Sequence, residues 1–258
     1  MSGEDGRLLQ SREGAVAVLS FDDPAARNAF SVTMRDALIQ ALVALGDDET
    51  CRAIVLTGEG GHFTAGGNLR GFTETTVMAA RGRLEQGSAT LMRLLIAGRK
   101  PVICAVEGLC IGAGVALAAA ADYTVVSAGA RLRCAFMQVG FIPDLAGLWS
   151  LPRRVGLGQA KRIAALGPML DAEEALRIRL VDEIAPEGQA LAAAMKVAAQ
   201  FAAQPPLALA LMKSAFAEGL EEALRREVDL QPILLASADH AEAKAAFFEK
   251  RKPEFRGR

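Results

Sequence analysis

The sequence predicts an α/β core to about residue 200, followed by a run of helices to residue 258. Short apolar runs rich in β-branched residues, AVAVLSF, AIVLTG and PVICAV, recur through the first hundred or so residues and read as strands. Each is followed by a turn rich in glycine or proline, and then by apolar residues at helical spacing. Beyond residue 200 the strand signal disappears and long helical patterns close the chain.

Residues 14–22, GAVAVLSFD, form the first strand, which DPAARNAFS interrupts. Ser31 starts the next helix, SVTMRDALIQALVALGDD, closed by a glycine and two acids. AIVLTG is the second strand and GEGGHFTAGGNL a glycine-rich loop. Residues 73–99 read as helical, with Arg81, Gly82 and Gly87 marking a part suited to movement. KPVICAV is a buried strand, LCIGAG a turn, and VALAAAAD a helix packed on all sides. YTVVSAGARLRCAF supplies two more short strands. GQAKRIAALG and DAEEALRIRLVDEI are helical pieces, the second opening on an Asp cap with acids in its first turn. The division into a core at 1–200 and a helical region at 201–258 follows this change of pattern, since no repeat or linker marks it.

At 258 residues, 52% hydrophobic and 23% charged, the chain can bury one substantial core. A net charge of -1 offers no field to attract nucleic acid. The polar, acid-bearing start does not resemble a secretory signal, so cytoplasm is the expected location. Four cysteines without a CxxC pair, and only His62 and His240, make no zinc or disulfide pattern and leave a Ser-His-Asp system little to build on. The apolar run at 102–121 is nearly long enough to span a membrane. Its Glu107 and its clustered Gly108, Gly112 and Gly114 suit a strand, a tight turn and a buried helix instead, so no membrane partner is expected.

One acid is out of place by composition. From Cys134 through Pro152 the only carboxylate is Asp144, in FIPDLAGLWSLPRRVG. Such a residue is either a turn acid facing water or a buried acid with a chemical role. The two glycine-rich loops, GEGGHFTAGGNL and GLCIGAG, can present backbone N–H groups unobstructed, yet neither matches a nucleotide-binding fingerprint. On composition alone a structural turn explains each equally well.

Taken together in order and spacing, RNAFS, HFTAGGNL, KPVICAVEGLCIGAGVALAAAADYTVVS, FIPDLAGLWSLPRRVG, LDAEEALRIRLVDEI and AFFEKRKPEF resemble the crotonase family, the enoyl-CoA hydratase/isomerase superfamily. The resemblance implies a core of repeated ββα turns, C-terminal helices that assemble a homotrimer or a dimer of trimers, and an acyl-CoA substrate. Coenzyme A then enters as part of the substrate thioester, with no permanently bound cofactor and no metal. It further implies an oxyanion hole made by the backbone N–H groups of Gly67 and Ala113, suited to holding a thioester oxygen as an enolate forms. Substrate and coenzyme A contacts would come from Ala25, Arg27, Ala29, Ala65, Asn68, Leu69, Leu109, Gly112, Phe136, Pro143, Phe247 and Lys250. For Arg27 and Lys250 the plainer reading is a solvated surface charge.

Hydratases of this family use two glutamates, and the match puts Ala116 and Phe136 at those positions, where neither can exchange a proton. Asp122 matches a structural acid at a helix end. Asp144 matches the acid of the IPD-x-x-G motif in members that shift double bonds, including the phenylacetate-pathway isomerases. The expected activity is therefore enoyl-CoA isomerisation with Asp144 as proton shuttle, its pKa raised by Phe136, Phe141, Leu145 and Trp149. The alternatives are a hydratase-like or other crotonase reaction, or a non-catalytic acyl-CoA-binding member. A dehalogenase using the same Asp position would need a histidine that residues 73–99 lack. Three departures from the pattern stand out: Ala146 for Gly, Asn68 for Asp, and Ala113 for Gly.

Overall fold

The computed structural model describes residues 6–71 and 76–258. Its spine is a six-stranded sheet built, in spatial order, from β1 (Arg7–Glu13), β2 (Val16–Asp22), β3 (Ala53–Gly58), β4 (Val102–Val106), β6 (Tyr123–Ser127) and β9 (Glu183–Ala185). A smaller sheet joins β5 (Leu109–Ile111), β7 (Arg131–Arg133) and β8 (Leu170–Asp171). The three apolar runs become β2, β3 and β4, which pair in parallel and are largely buried, as continuous apolar strands should be. Strand β1 was not expected. Its sequence RLLQSRE is mostly exposed, and it is held by an antiparallel ladder to β2 running from Arg7↔Asp22 to Glu13↔Val16.

The 102–121 run divides into β4, β5 and α4 (Ala113–Ala120), a ββα turn whose two strands lie in different sheets. LCIGAG, expected as a turn, thus contains a strand bonded in parallel to β7. Strands β6 and β7 followed by α5 (Gly147–Leu166) repeat the ββα order. No helix among the described residues is long and apolar enough to cross a membrane.

Helix α1 (Val32–Asp47) begins where Ser31 Oγ accepts the Met34 N–H at 3.1 Å. The expected 73–99 helix is present over 77–97, as α2 (Val77–Arg83) and α3 (Thr90–Ala97) joined without a break by a π-helical turn over residues 84–89, and residues 73–75 lie outside the described residues. Arg81 and Gly82 fall in α2 and Gly87 in the π-turn. Asp171 caps α6 (Ala172–Arg177) by accepting the Glu174 N–H at 2.8 Å, but the helix stops at Arg177 and the following EIA forms β9 against β6.

Helix α7 (Ala190–Ala202) covers one face of the large sheet, with Ala190, Ala194 and Val197 set against Val55, Ile103 and Val125. Three more helices complete the chain: α8 (Pro206–Phe216), α9 (Leu220–Leu235) and α10 (Ala238–Glu249). Helix α8 is fastened by Lys213, 4% exposed, which pairs with Asp122 and donates to the Leu95 carbonyl at 3.2 Å. Asp122 also accepts the Val102 N–H at 2.8 Å, so it anchors the start of β4, a structural place matching its expected one. Lys213→Met keeps the aliphatic stem but leaves Asp122 without its cation. Breaking a buried pair from one side is expected to cost about 3 kcal/mol, read as a fall in the urea midpoint at unchanged slope.

Packing also fixes the loops that carry chemistry. Phe21, at the end of β2, meets Phe30 and Phe63 edge-on at ring separations of 5.4 and 5.7 Å. All three rings are buried, each contributing about 2 kcal/mol. Phe30 and Phe63 lie in the two loops that follow β2 and β3, so one aromatic cluster roots both.

Candidate active site

The loops after β2, β3 and β4 are laced together by backbone and short polar side chains. Asn28 is fully buried with φ 57° and bonds three ways: its Oδ1 accepts the Asp23 N–H at 2.8 Å, and its Nδ2 donates to the carbonyls of Glu59 at 2.8 Å and His62 at 2.7 Å. Asparagine suits this place because it tolerates the left-handed region and satisfies buried backbone groups. Thr64 extends the network, donating to the Asn28 carbonyl at 2.6 Å and accepting the Gly66 N–H at 3.1 Å. Sequence reasoning passed over both residues, whose role exists only once the loops meet.

The next loop zips onto this one. Thr64 N–H donates to Leu109 O and Ile111 N–H donates to Thr64 O, each at 3.0 Å. At the end of the zip Gly66 and Gly112 come together: a Cβ on Gly112 would lie 3.9 Å from Gly66 Cα. Gly112 holds φ 52° and ψ −107°, a combination a side chain strongly disfavours, and it turns the chain so that Ala113 opens α4 with its N–H outside the helix ladder. On the other side, Phe30 N–H donates to Gly66 O at 2.8 Å and Asn68 N–H to Phe30 O at 3.0 Å, which turns the intervening Gly67 N–H away from that bridge. Neither the Gly67 nor the Ala113 N–H meets an acceptor among the described residues. Two donors left open on contacting loops, one at a helix N-terminus, can receive an anionic oxygen.

Ala25, Arg27 and Ala29 lie on the rim of the same loops. Arg27 has φ 51° and its carbonyl accepts the Ala65 N–H at 2.9 Å, so its exposed side chain stands beside the Ala65–Leu69 loop. Asn68 Oδ1 accepts the Arg70 N–H at 3.1 Å, a bond internal to the loop. From the C-terminal region it is Phe248 that reaches this loop, its ring 5.7 Å from the Arg70 guanidinium carbon. Phe247, edge-on to Phe248 at 5.4 Å, and Lys250 are exposed at the end of α10.

Asp144 lies on the turn that enters α5. Phe136, Phe141, Pro143 and Leu145 are buried around this stretch, while Trp149 is half-buried against the same core, its Nε1 donating to the Glu218 carbonyl at 3.1 Å and its ring stacking under Arg153 at 4.3 Å. Asp144 keeps some accessible surface while surrounded by protein. Burial pushes its pKa up to about 6, against the opposing pull of the Arg83 charge and of Gln231, whose Nε2 donates to Asp144 Oδ2 at 3.3 Å. Burial is the largest cause of this shift, and of the four apolar residues expected around the acid, Phe136, Phe141 and Leu145 lie in the buried core while Trp149 packs against it partly buried.

Asp144 also has a neighbour that the sequence concealed. Glu227, on α9 and 4% exposed, has its pKa pushed up to about 8, first by burial and then by the charge of Asp144. Glu227 and Gln231 lie more than 80 residues along the chain, and nothing local announces that their helix docks on the Asp144 turn. The two hydratase positions are as apolar as expected, Ala116 fully buried and Phe136 nearly so.

The model of the enoyl-CoA hydratase/isomerase family matches residues 11–258. The chain is 34% identical to the 1,2-epoxyphenylacetyl-CoA isomerase of Escherichia coli K12, over 97% of this chain and 98% of that protein. It is 33% identical to the 2,3-dehydroadipyl-CoA hydratase of the same organism, over 97% and 99%. The crystal structure of an enoyl-CoA hydratase/isomerase from Pseudoalteromonas atlantica T6c superposes with a TM-score of 0.85 at 30% identity, covering 96% of this chain and 99% of that one.

Proposed function

The chain belongs to the enoyl-CoA hydratase/isomerase family, and from that premise we propose that this acyl-CoA enzyme moves a carbon–carbon double bond along the acyl chain, with Asp144 as the proton carrier. One observation carries the reading. The two positions that would hold a hydratase's glutamates are occupied by buried Ala116 and Phe136, while Asp144, the remaining matched acid, titrates near the pH at which a general base is effective.

In the proposed reaction the Asp144 carboxylate takes a proton from the carbon between the double bond and the thioester. The electron pair of that C–H bond is delocalised onto the thioester oxygen, which the Gly67 and Ala113 N–H groups receive. Protonated Asp144 then returns the proton to the far end of the dienolate, so the double bond has moved and the carboxylate is restored. Coenzyme A arrives and leaves with the substrate. Arg27 and Lys250 meet its phosphates, and Phe247 and the Ala65–Leu69 loop line its path. Exposed apolar side chains on the C-terminal helices, Leu211, Phe216 and Ile233 among them, support assembly into a trimer or a dimer of trimers.

Glu227 favours a second reading, hydration, because it brings another carboxyl near Asp144. Against it, both Glu227 oxygens already accept backbone N–H groups, from Ala146 at 2.9 Å and Leu148 at 3.2 Å. The deciding measurement compares migration of the double bond in a 3-enoyl-CoA with hydration of crotonyl-CoA on the same enzyme. Isomerisation is expected to dominate, with kcat/KM falling as pH drops through about 6, because protonated Asp144 cannot accept a proton. Hydration at a comparable rate would reject the assignment.

A further inference from the structure

Building on the assignment of Asp144 as proton carrier, we propose that Glu227 is a positioning residue for it: the Glu227 carboxyl holds the turn that carries Asp144 and keeps the two acids at a single shared negative charge during the reaction.

The turn needs a holder. Leu145 and Ala146 sit at φ 54° and 57°, two consecutive left-handed residues of which neither is glycine. Helix α5 follows at once, and its N-cap residue Ala146 has no side chain with which to cap it. Glu227 supplies the missing acceptors from α9: Oε2 takes the Ala146 N–H at 2.9 Å and Oε1 the Leu148 N–H at 3.2 Å. One helical turn further on, Gln231 accepts the Ile142 N–H and donates to both the Ile142 carbonyl and Asp144 Oδ2, each at 3.3 Å. Two side chains of one helix face, 4% and 1% exposed, thereby grip the backbone on either side of Asp144, and Gln231 also touches its carboxylate.

Two buried acids this close resist being ionised together. Asp144, at about 6, loses its proton first, and its charge helps push Glu227 to about 8 even though the two backbone N–H groups favour ionised Glu227. Between those values Asp144 is an available base while neutral Glu227 adds no second charge beside an anionic dienolate. The other charged groups around α9 do not substitute for this arrangement. On α9 itself, Asp229 is paired with Arg81 of α2 at 2.9 Å and Arg226 with Glu222 at 2.5 Å. Beside the π-turn, Glu221 and Glu85 share Arg93. From α2 the charge of Arg83 acts on Asp144. From α10, His240 is stacked on Phe141 at 4.2 Å, bonded to the Val139 carbonyl at 2.7 Å, and has its pKa lowered by burial.

Two experiments test the proposal. In the first, kcat/KM for isomerisation is followed from pH 5 to 10 in the wild type and in Glu227→Gln. The wild type is expected to lose activity as pH rises through about 8, levelling at the slower rate of the doubly ionised form, and the variant to lack that alkaline limb. A cap with no electrostatic part in the reaction would leave the limb where it was, and that result overturns the proposal. The second needs neither activity nor a Glu227 variant. Carbon-13 carboxyl NMR of glutamate-labelled wild-type protein is expected to show one glutamate titrating near 8, whose midpoint moves down in Asp144→Asn. No such glutamate, or a midpoint indifferent to Asp144, overturns the proposal even if the assignment of Asp144 stands. A missing acid limb near 6 in the first experiment would instead discredit Asp144.

Discussion

Asp144→Asn is expected to slow double-bond migration by about 10³-fold and, at neutral pH, to make the protein more stable. The loss follows from removing the group that accepts and returns the proton, and the remaining rate reflects substrate alignment and the oxyanion donors. The gain has the opposite origin. Burial raises the Asp144 pKa from 3.8 to about 6, so the folded protein binds that proton more tightly than the unfolded chain does. An acid shifted in this direction adds no penalty below pH 4 and its full penalty above pH 6. Two pKa units correspond to about 3 kcal/mol, or roughly 5 °C in Tm for a chain of this size. The difference in Tm between variant and wild type is expected to open between pH 4 and 6 and to widen further towards pH 8, because Glu227 ionises more readily in the variant once the Asp144 charge is gone. A variant that is inactive and also less stable at pH 7 would mean that Asp144 holds the fold, not a proton.

Gly66→Ala is expected to lower kcat about 10²-fold, the loss typical of one oxyanion donor, with a smaller effect on KM. Gly66 has φ 101°, a region that L side chains rarely adopt, and its Cβ would fall 3.1 Å from the Ile111 carbonyl oxygen. That oxygen belongs to backbone zipped to Thr64, so it cannot move aside alone, and the relief must come from the Gly66–Gly67 peptide. Steady-state kinetics on the isomerisation substrate checks this, with far-UV circular dichroism confirming that the sheet persists. A kcat within threefold of wild type would exclude the Gly67 N–H as an oxyanion donor.

These two residues differ in how much of their setting the sequence discloses. Gly66 sits in a glycine-rich loop after a legible strand, so its permissive conformation is readable even though Ile111 is not. Asp144 is readable as an anomaly of composition, but its titration depends on burial and on Arg83 and Gln231, which arrive from two other helices, and its charge in turn acts on Glu227. The same division runs through the fold. Ser31 and Asp171 act on N–H groups three residues away, so the helix starts they cap are local facts. Strand β1 has no apolar alternation to betray it and exists because β2 offers it a ladder. In α5 the expected GQAKRIAALG piece is only the second half: a first piece containing Pro152 meets it at Gly156, with φ 76° and ψ 156°. Proline ordinarily argues against a helix, and here it is tolerated near the helix start, on a turn that α9 holds from outside.

Ala146 shows the boundary most clearly. The motif it departs from carries glycine there, and the backbone is indeed left-handed at φ 57°. The substitution itself was visible in the sequence; that Glu227 accepts the Ala146 N–H and steadies the strained turn was not. By itself the sequence determined the apolar strands β2, β3 and β4, the capped helix starts, the two glycine-rich loops and the isolated acid, because each rests on forces acting within a few residues. The tertiary structure alone decided which N–H groups stay open, how the loops interlock, and that Asp144 has a second acid beside it. Those features depend on burial and on charges brought together from distant parts of the chain, and neither exists until the helices have docked.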